Sequence, residues 1–320
     1  MRRVVVAGRW DGARPLLPTG VALEEIGQGV LAGCADAEPV LLPFGAGPTF
    51  DEAVAASCSQ ASFVRVPTDV ASTREAGDRV ATALGESRVV VEGGHNASPD
   101  CGLGFLAGLL GVADSEVSGD ALPAALTRAE ELVAASGTDL VCAASTPRPL
   151  LGLDSVLAVD PDLTPIEEQN TALTGLLTQA FAHRPLGRRQ LIESSIDHPA
   201  RGYGSGAGGG VGAIIAASGG RIVPTGVLLD DLLTLDKALE SADLVIVAEP
   251  ELASPLLATS TLDSLTSAAA AHALPVVGCT VRSSLSHVER AEWGLHGVFE
   301  TEARVTLREA GRRIARTWLR

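Results

Sequence analysis

The sequence predicts an α/β protein with parallel sheets, and three observations carry that prediction. Short Val- and Leu-rich runs alternate with longer segments of helical spacing from Arg3 to Cys279. Hydrophobic residues fill 46% of the 320 positions although aromatics fill only 3%, a composition suited to Val/Leu strands covered by Ala-rich helices. Strand-like runs are separated by helical ones throughout, which calls for crossover connections rather than hairpins. The length allows two domains or one large one.

Arg3 to Gly8 reads as a first strand, followed by a helix over Gly20 to Cys34 whose apolar stripe is Val21, Ile26, Val30 and Leu31. Val40 to Phe44 is a second strand. A helix over Ser72 to Leu84, capped by Ser72 or Thr73, leads into a strand over Arg88 to Val91. Leu103 to Leu110 is apolar all round, as a buried helix is. A helix over Ala121 to Ser136 precedes a strand over Leu140 to Ala143. Thr164-Pro165-Ile166-Glu167-Glu168 is a helix start, with proline at the first helical position and acids in the first turn. The last third repeats the alternation: helix Asp231 to Leu239, strand Leu244 to Val247, helix Thr261 to His272, strand Pro275 to Cys279 and helix Thr301 to Trp318. In that final helix Leu307, Ala310, Ile314 and Trp318 form the apolar stripe. Arg308, Arg312, Arg313 and Arg316 lie off it, either as an anion patch or as a solvated face.

The formal net charge of −15 disfavours nucleic acid and anionic membrane as partners, because the long-range field repels them. Lys237 is the only lysine among 24 basic residues, so an anionic ligand would be met by guanidinium groups. No stretch approaches the roughly 20 apolar residues needed to span a bilayer. Met1-Arg2-Arg3 precedes an apolar run too short for a signal sequence. The five cysteines are dispersed and lack a Cys-x-x-Cys pair, as expected for buried thiols of a cytoplasmic protein. No residue is assigned as a metal ligand, and nothing in the sequence sets an oligomeric state.

Two segments point to chemistry. Gly204-Ser205-Gly206-Ala207-Gly208-Gly209-Gly210-Val211-Gly212 places six glycines in nine residues ahead of the apolar run Ala213 to Ala217. Such a loop lets backbone N–H groups approach an anion at a helix start. Gly204-x-Gly206-x-x-Gly209 also fits the dinucleotide fingerprint, but His198 to Tyr203 is not the apolar strand that fingerprint requires. Ala242 to Glu251 reads as a buried parallel strand that delivers Glu249 at its C-terminal end, for Mg²⁺ or substrate contact or as a loop acid. His95, Asn96 and Asp100 either face a ligand or cap the helix that follows. Asp197, His198 and Arg201 form either an acid/base and anion trio or a solvated loop. Arg148, Arg184, Arg188 and Arg189 are further candidates for an anion contact.

The ordered motifs resemble the bacterial glycerate kinase family. Glu92-Gly93-Gly94 followed by Asp100-Cys101-Gly102 is similar to its Gly-Gly-Ser…Asn-Asp-Gly-Gly loop, and Ser72 to Asp78 resembles its Thr-Thr-x-Gly-x-Gly-Glu helix start. Val40-Leu41-Leu42-Pro43 resembles the strand before its Gly-Gly-Glu-Gly-Thr loop. Pro149-Leu150-Leu151-Gly152 and Thr164-Pro165 are similar to its Asn-Pro-Leu-Leu-Gly and Ala-Thr-Pro-Glu segments. Gly206 to Gly212 matches its glycine-rich loop, and Ala242 to Glu249 its Ala-Asp-Leu-Val-Ile-Thr-Gly-Glu strand.

The resemblance implies a flavodoxin-like domain formed by both termini, residues 1–68 and 241–320. It implies an inserted α/β domain, residues 69–240, that carries the glycine-rich loop, with the active site in the cleft between the two. It implies ATP-dependent phosphorylation of glycerate or a similar small hydroxy acid, with ATP and Mg²⁺ as cofactors. The residues it nominates for catalysis are Glu249, Asp100, Arg9 and Asp11. For substrate or phosphate it nominates Gly93, Gly94, His95, Gly206, Gly208, Gly209 and Gly210.

This chain also departs from the family. Where the family has Asp-Ser-Phe-Lys-Gly, it reads Gly8-Arg9-Trp10-Asp11-Gly12, without the lysine. The acid of Gly-Gly-Glu-Gly-Thr is missing from Gly45-Ala46-Gly47-Pro48-Thr49. Gly-Glu-Gly-Arg-x-Asp-x-Gln has become Ala248-Glu249-Pro250-Glu251-Leu252-Ala253-Ser254-Pro255, which keeps the glutamate and reverses the arginine's charge. The family's downstream Gly-Lys pair aligns with Thr259-Ser260. Losing a cation at a transferring phosphoryl group costs several kcal/mol. A catalytically inactive relative that binds a small anion, a nucleotide or another protein is therefore the alternative reading.

Overall fold

The computed structural model describes residues 2–11, 16–57, 59–67, 72–94, 100–159, 167–181, 198–254, 261–301 and 305–319. The chain forms two compact units, residues 1–59 with 225–320, and residues 60–224. The expected boundaries, 68/69 and 240/241, differ from these divisions.

In chain order the first unit opens with β1 (Arg2–Gly8), α1 (Thr19–Gly33), β2 (Ala37–Pro43) and α2 (Pro48–Ala56). The second unit supplies β3 (Ser62–Val66), α3 (Arg74–Ala83), β4 (Arg88–Gly93), α4 (Leu103–Leu110), α5 (Leu122–Ser136) and β5 (Asp139–Ala144). It continues with α6 (Val156–Val159), α7 (Glu167–Phe181), α8 (Val211–Ala217) and β6 (Arg221–Pro224). The chain then re-enters the first unit as α9 (Thr225–Leu233), α10 (Leu235–Leu239), β7 (Leu244–Ala248), β8 (Glu251–Leu252) and α11 (Leu262–Ala271). It ends with β9 (Val276–Thr280), β10 (Arg282–Ser283), α12 (His287–Glu292), β11 (Gly297–Glu300) and α13 (Leu307–Trp318).

The first unit holds a five-stranded parallel sheet in the order β11-β9-β7-β1-β2. Counted within that sheet, the order is 2-1-3-4-5, the doubly wound flavodoxin-like arrangement. The direction of winding reverses between β1 and β7, so a crevice is expected outside the C-terminal ends of those two strands. Both strands are buried at every central position, Val4 to Ala7 and Leu244 to Ala248, as a sheet covered on both faces requires. Helices α1 and α13 meet backbone to backbone on one face. A methyl group at Gly29 would overlap the Arg308 carbonyl, and one at Gly311 would overlap that of Ile26.

The final helix begins at Leu307 instead of Thr301, because Gly297–Glu300 pairs with β9 as an edge strand. It buries Leu307, Ala310, Gly311, Ile314 and Ala315. Trp318 is half-buried and lies edge-on to His296. Of the arginines off this stripe, Arg312 and Arg313 bond to Glu309 and Arg308 pairs with Glu25. The helix expected over Asp231 to Leu239 is two helices, α9 and α10, broken at Thr234, whose φ is +50°.

The second unit holds a four-stranded parallel sheet in the order β3-β4-β5-β6. Asp139, at the start of β5, accepts hydrogen bonds from Arg88 at the start of β4 (2.8 Å) and from Arg221 at the start of β6 (3.0 Å). Arg221 foremost, with Arg88, holds the Asp139 carboxyl down at about 2. A depressed carboxyl contributes stability that is present above its unfolded value and lost as pH falls through its folded one. Asp139→Asn is therefore expected to destabilise this unit by about 1 kcal/mol at neutral pH, the modest size reflecting the exposure of both arginines. In urea melts the gap to wild type should close as pH is lowered from about 4 to about 2. A gap independent of pH would show that the carboxylate is not what holds these strand ends.

Cys101, Cys142 and Cys279 are buried thiols, each pushed up to about 12 chiefly by burial, while Cys34 is half-exposed. Among the described residues no helix is long and apolar enough to cross a membrane.

Candidate functional site

The candidate residues divide between the units. Arg9, Asp11 and Glu249 belong to the first; Gly93, Gly94, Asp100, Gly206, Gly208, Gly209 and Gly210 belong to the second. His95, Asn96, Asp197, Arg184, Arg188, Arg189 and Thr259-Ser260 lie outside the described residues.

In the first unit Gly8 closes β1 with a φ of +135°, and a side chain there would overlap the Ala248 carbonyl of β7. Only glycine lets the two strands end this close. Immediately beyond, Arg9 N–H donates to that same carbonyl at 2.8 Å. The Arg9 side chain then turns onto Glu249, its Nε and Nη2 both 2.7 Å from Oε1. The Glu249 side chain is 3% exposed and that of Arg9 is 30% exposed. Burial pushes the Glu249 carboxyl up, and Arg9 pulls it only part of the way back. Burial alone would lower the Arg9 guanidinium, but the pull of Glu249 and its hydrogen bonds outweigh that and raise it.

Asp11 lies 3.9 Å from Arg9 Nη1 through Oδ2. Its other oxygen, Oδ1, accepts from Thr19 Oγ1 at 3.1 Å and, more closely, from Thr49 Oγ1. The switch point thus holds one arginine between two carboxylates; the second carboxylate follows β1, and its hydroxyl partners come from the first turns of α1 and α2.

The N-terminus of α1 is where a doubly wound fold receives an anion. Here Glu52 of α2 takes that place. Its two oxygens accept from Thr19 N–H at 2.9 Å and Gly20 N–H at 2.6 Å. The cap residue itself, Pro18, offers no side-chain bond. Glu52→Ala should cost about 1 kcal/mol, the usual cost of losing a capping oxygen. Glu52→Gln, which keeps one acceptor, should recover part of the loss in the same thermal melts. Equal loss in both variants would point to packing instead of capping.

At the position where the resembling family carries an arginine, Glu251 forms an ion pair with Arg282 across the short parallel pair β8–β10. A cation from another strand answers the charge reversal locally.

In the second unit the glycine run closes on protein backbone. Gly208, Gly209 and Gly210 have φ values of +62°, +66° and +108°, and the whole stretch from Gly204 to Gly210 is buried. Gly208 N–H donates to the Gly94 carbonyl at 2.8 Å, and Gly210 N–H to Gly206 at 3.2 Å. A Cβ on Gly93 would lie 2.5 Å from Gly208 N, and one on Gly102 would lie 2.8 Å from the Gly210 carbonyl. The close approach read from the sequence is present, and what is approached at Gly208 and Gly210 is the end of β4 and the turn before α4.

Asp100 sits beside that turn. Its carboxylate accepts from Thr73 N–H at 2.6 Å, from the Thr73 hydroxyl, and from Gly102 N–H at 3.0 Å. The Thr73 hydroxyl in turn accepts from Phe105 N–H at 2.8 Å. These bonds tie the N-termini of α3 and α4 together, so Thr73 acts across to α4 and not as the side-chain cap of α3. Thr49 aligns with the threonine of the family's Gly-Gly-Glu-Gly-Thr loop, whereas nothing in the local sequence marks Thr19 or Glu52, whose roles depend on partners far along the chain.

The sequence model of the glycerate kinase family matches residues 52–320. The chain belongs to the glycerate kinase family. Glu249, Asp100 and the glycine run fall inside the matched segment, whereas Arg9 and Asp11 precede it. Among solved structures, the chain is similar to one described as putative glycerate kinase 2 from Salmonella typhimurium LT2, at 20% identity and a TM-score of 0.65. That match covers 99% of this chain and 98% of the other. At this identity it shows the fold alone, which it extends over both units. No curated protein matches the chain.

Proposed function

We propose that this protein transfers a phosphoryl group from ATP to a small hydroxy acid, glycerate or a close analogue, at the switch point of the first unit. The observation that carries this reading is the meeting of Arg9, Asp11 and Glu249 beyond the C-terminal ends of β1 and β7, where doubly wound folds bind ligands. Arg9 is the cation for substrate carboxylate or phosphate, and Asp11 is the acceptor for the substrate hydroxyl. Glu249 holds Arg9 in place. The glycine run and Asp100 keep the loop ends of the second unit fixed, and Gly93, Gly94 and Gly209 are that unit's candidates for phosphate contact.

The donor set does not fit a magnesium ion held by protein. Glu249 is engaged by Arg9, Asp11 Oδ1 is engaged by two hydroxyls, and the described residues contain no cluster of three ligating side chains.

A second reading, a family member that binds without transfer, is favoured by two observations. Glu251 stands where the family has an arginine, and the two carboxylates of the switch point outnumber its one guanidinium. A coupled assay for ADP release with a panel of small hydroxy acids separates the readings. Turnover above background that Asp11→Asn abolishes supports the kinase. Millimolar-range binding of acid or nucleotide by calorimetry, with no turnover, supports the binding protein.

A further inference from the structure

We infer that Thr19 and Thr49 are positioning residues that aim Asp11 at the substrate hydroxyl, an inference that rests on the kinase reading above. Three contacts link these groups. Thr19 Oγ1 and Thr49 Oγ1 are 2.6 Å apart, and both lie against Asp11 Oδ1. Two hydroxyls supply only two protons for those three contacts, so their directions are constrained. Trp10 N–H, a donor that cannot reverse, points at Thr19 Oγ1 from 3.0 Å. Only one proton can lie between the two hydroxyls, so at least one of the two protons is donated to Asp11 Oδ1. Trp10 N–H holds Thr19 from behind, and both threonine hydroxyls stand against the same carboxylate oxygen.

The surroundings distinguish this from a packing staple. Thr19 and Thr49 are fully buried, at 1% and 0% exposure, whereas the Asp11 side chain is 22% exposed. One carboxylate oxygen is fixed inward by the threonines. The other, Oδ2, lies 3.9 Å from Arg9 Nη1, beyond hydrogen-bond reach. The two threonines open α1 and α2, so the loops that follow β1 and β2 are locked to one oxygen atom. In the step this serves, the substrate hydroxyl gives its proton to Asp11 Oδ2. Its oxygen bonds to the γ-phosphorus, and the bond from that phosphorus to the β–γ bridging oxygen breaks, releasing the nucleoside diphosphate.

Thr49→Val removes the hydroxyl at nearly constant volume, and Thr49→Ser keeps it. With nucleotide saturating, Thr49→Val is expected to lower kcat by about tenfold to a hundredfold while the KM for nucleotide stays within about twofold. Thr49→Ser should restore kcat to within about threefold of wild type. Thermal melts check folding, and Thr19→Val, which removes the other hydroxyl against Asp11 Oδ1, serves if Thr49→Val does not fold. A valine variant with wild-type kcat, or a serine variant as slow as the valine one, overturns the inference and leaves the kinase reading standing. A wild-type protein that neither phosphorylates nor binds any acid of the panel overturns both.

Discussion

Arg9→Ala is expected to destabilise the first unit by about 3 kcal/mol at neutral pH, measured by urea unfolding. Removing one partner of a buried ion pair leaves the other charge stranded in a medium that solvates it poorly, which costs about 3–5 kcal/mol. The lower end applies because Arg9 is 30% exposed, so water can partly replace it. Glu249 also has an escape, since burial already pushes its carboxyl up and loss of Arg9 pushes it further. The sign of the pH dependence follows. A carboxyl raised in the folded state destabilises above its unfolded value and stops doing so once pH falls low enough to protonate it in both states. The deficit of Arg9→Ala should therefore be full at high pH and shrink as pH falls toward the ordinary glutamate value. Adding Glu249→Gln should recover part of the loss at neutral pH, giving a coupling energy in the double-mutant cycle. If Arg9→Ala is within about 0.5 kcal/mol of wild type, the pair is a surface contact in energetic terms and the site is softer than the geometry indicates.

Gly210→Ala is expected to cost the second unit at least about 3 kcal/mol, and Gly219→Ala only about 1–2 kcal/mol. Both glycines hold positive φ, +108° and +80°, so both variants carry the conformational cost of a left-handed L-residue. They differ in space. A methyl at Gly210 would overlap the Cys101 carbonyl, while nothing lies within 4 Å of one at Gly219. The difference between the two variants isolates the steric part. Because the obstruction is backbone, it cannot swing aside as a side-chain tip would. Equal midpoints for the two variants in chemical denaturation would mean that the glycine run is loosely packed and free to open toward a ligand.

Much of the fold was legible from local pattern. Alternating apolar runs located β1, β4, β5, β7 and β9, because fully buried parallel strands are apolar at every position. Strands β3, β6 and β11, and the two-residue strands β8 and β10, carry no such run. Phe63, Ile222, Val298 and Phe299 are only partly buried, so the edge strands β3, β6 and β11 lack the continuous apolar signature that the edge strand β2 shows in Val40 to Leu42. The break at Thr234 was invisible because Asp231 to Leu239 keeps helical spacing through it. The site was legible in part. Glu249 at the end of β7 follows from the rule that parallel strands deliver ligands' partners at their C-terminal ends. That Arg9 would reach it does not follow, since the two are 240 residues apart in the chain.

Taken alone, the sequence determined the α/β class, the parallel sheets, the order of motifs that marks the glycerate kinase family, and the need for close backbone approach at Gly204 to Gly212. These depend on side-chain periodicity and on glycine's freedom at positive φ, both local properties. Which groups meet is settled by the folded chain. It placed Glu52 on the N-terminus of α1 from 33 residues away, Arg9 on Glu249, two threonines on Asp11, and the Gly208 and Gly210 N–H groups on the protein's own carbonyls. A polar residue's local sequence states what it can donate or accept. Its partner is set by how strands and helices far apart in the chain are brought to one sheet edge, and it is the partner that decides whether a carboxylate is a cap, a counter-ion or a base.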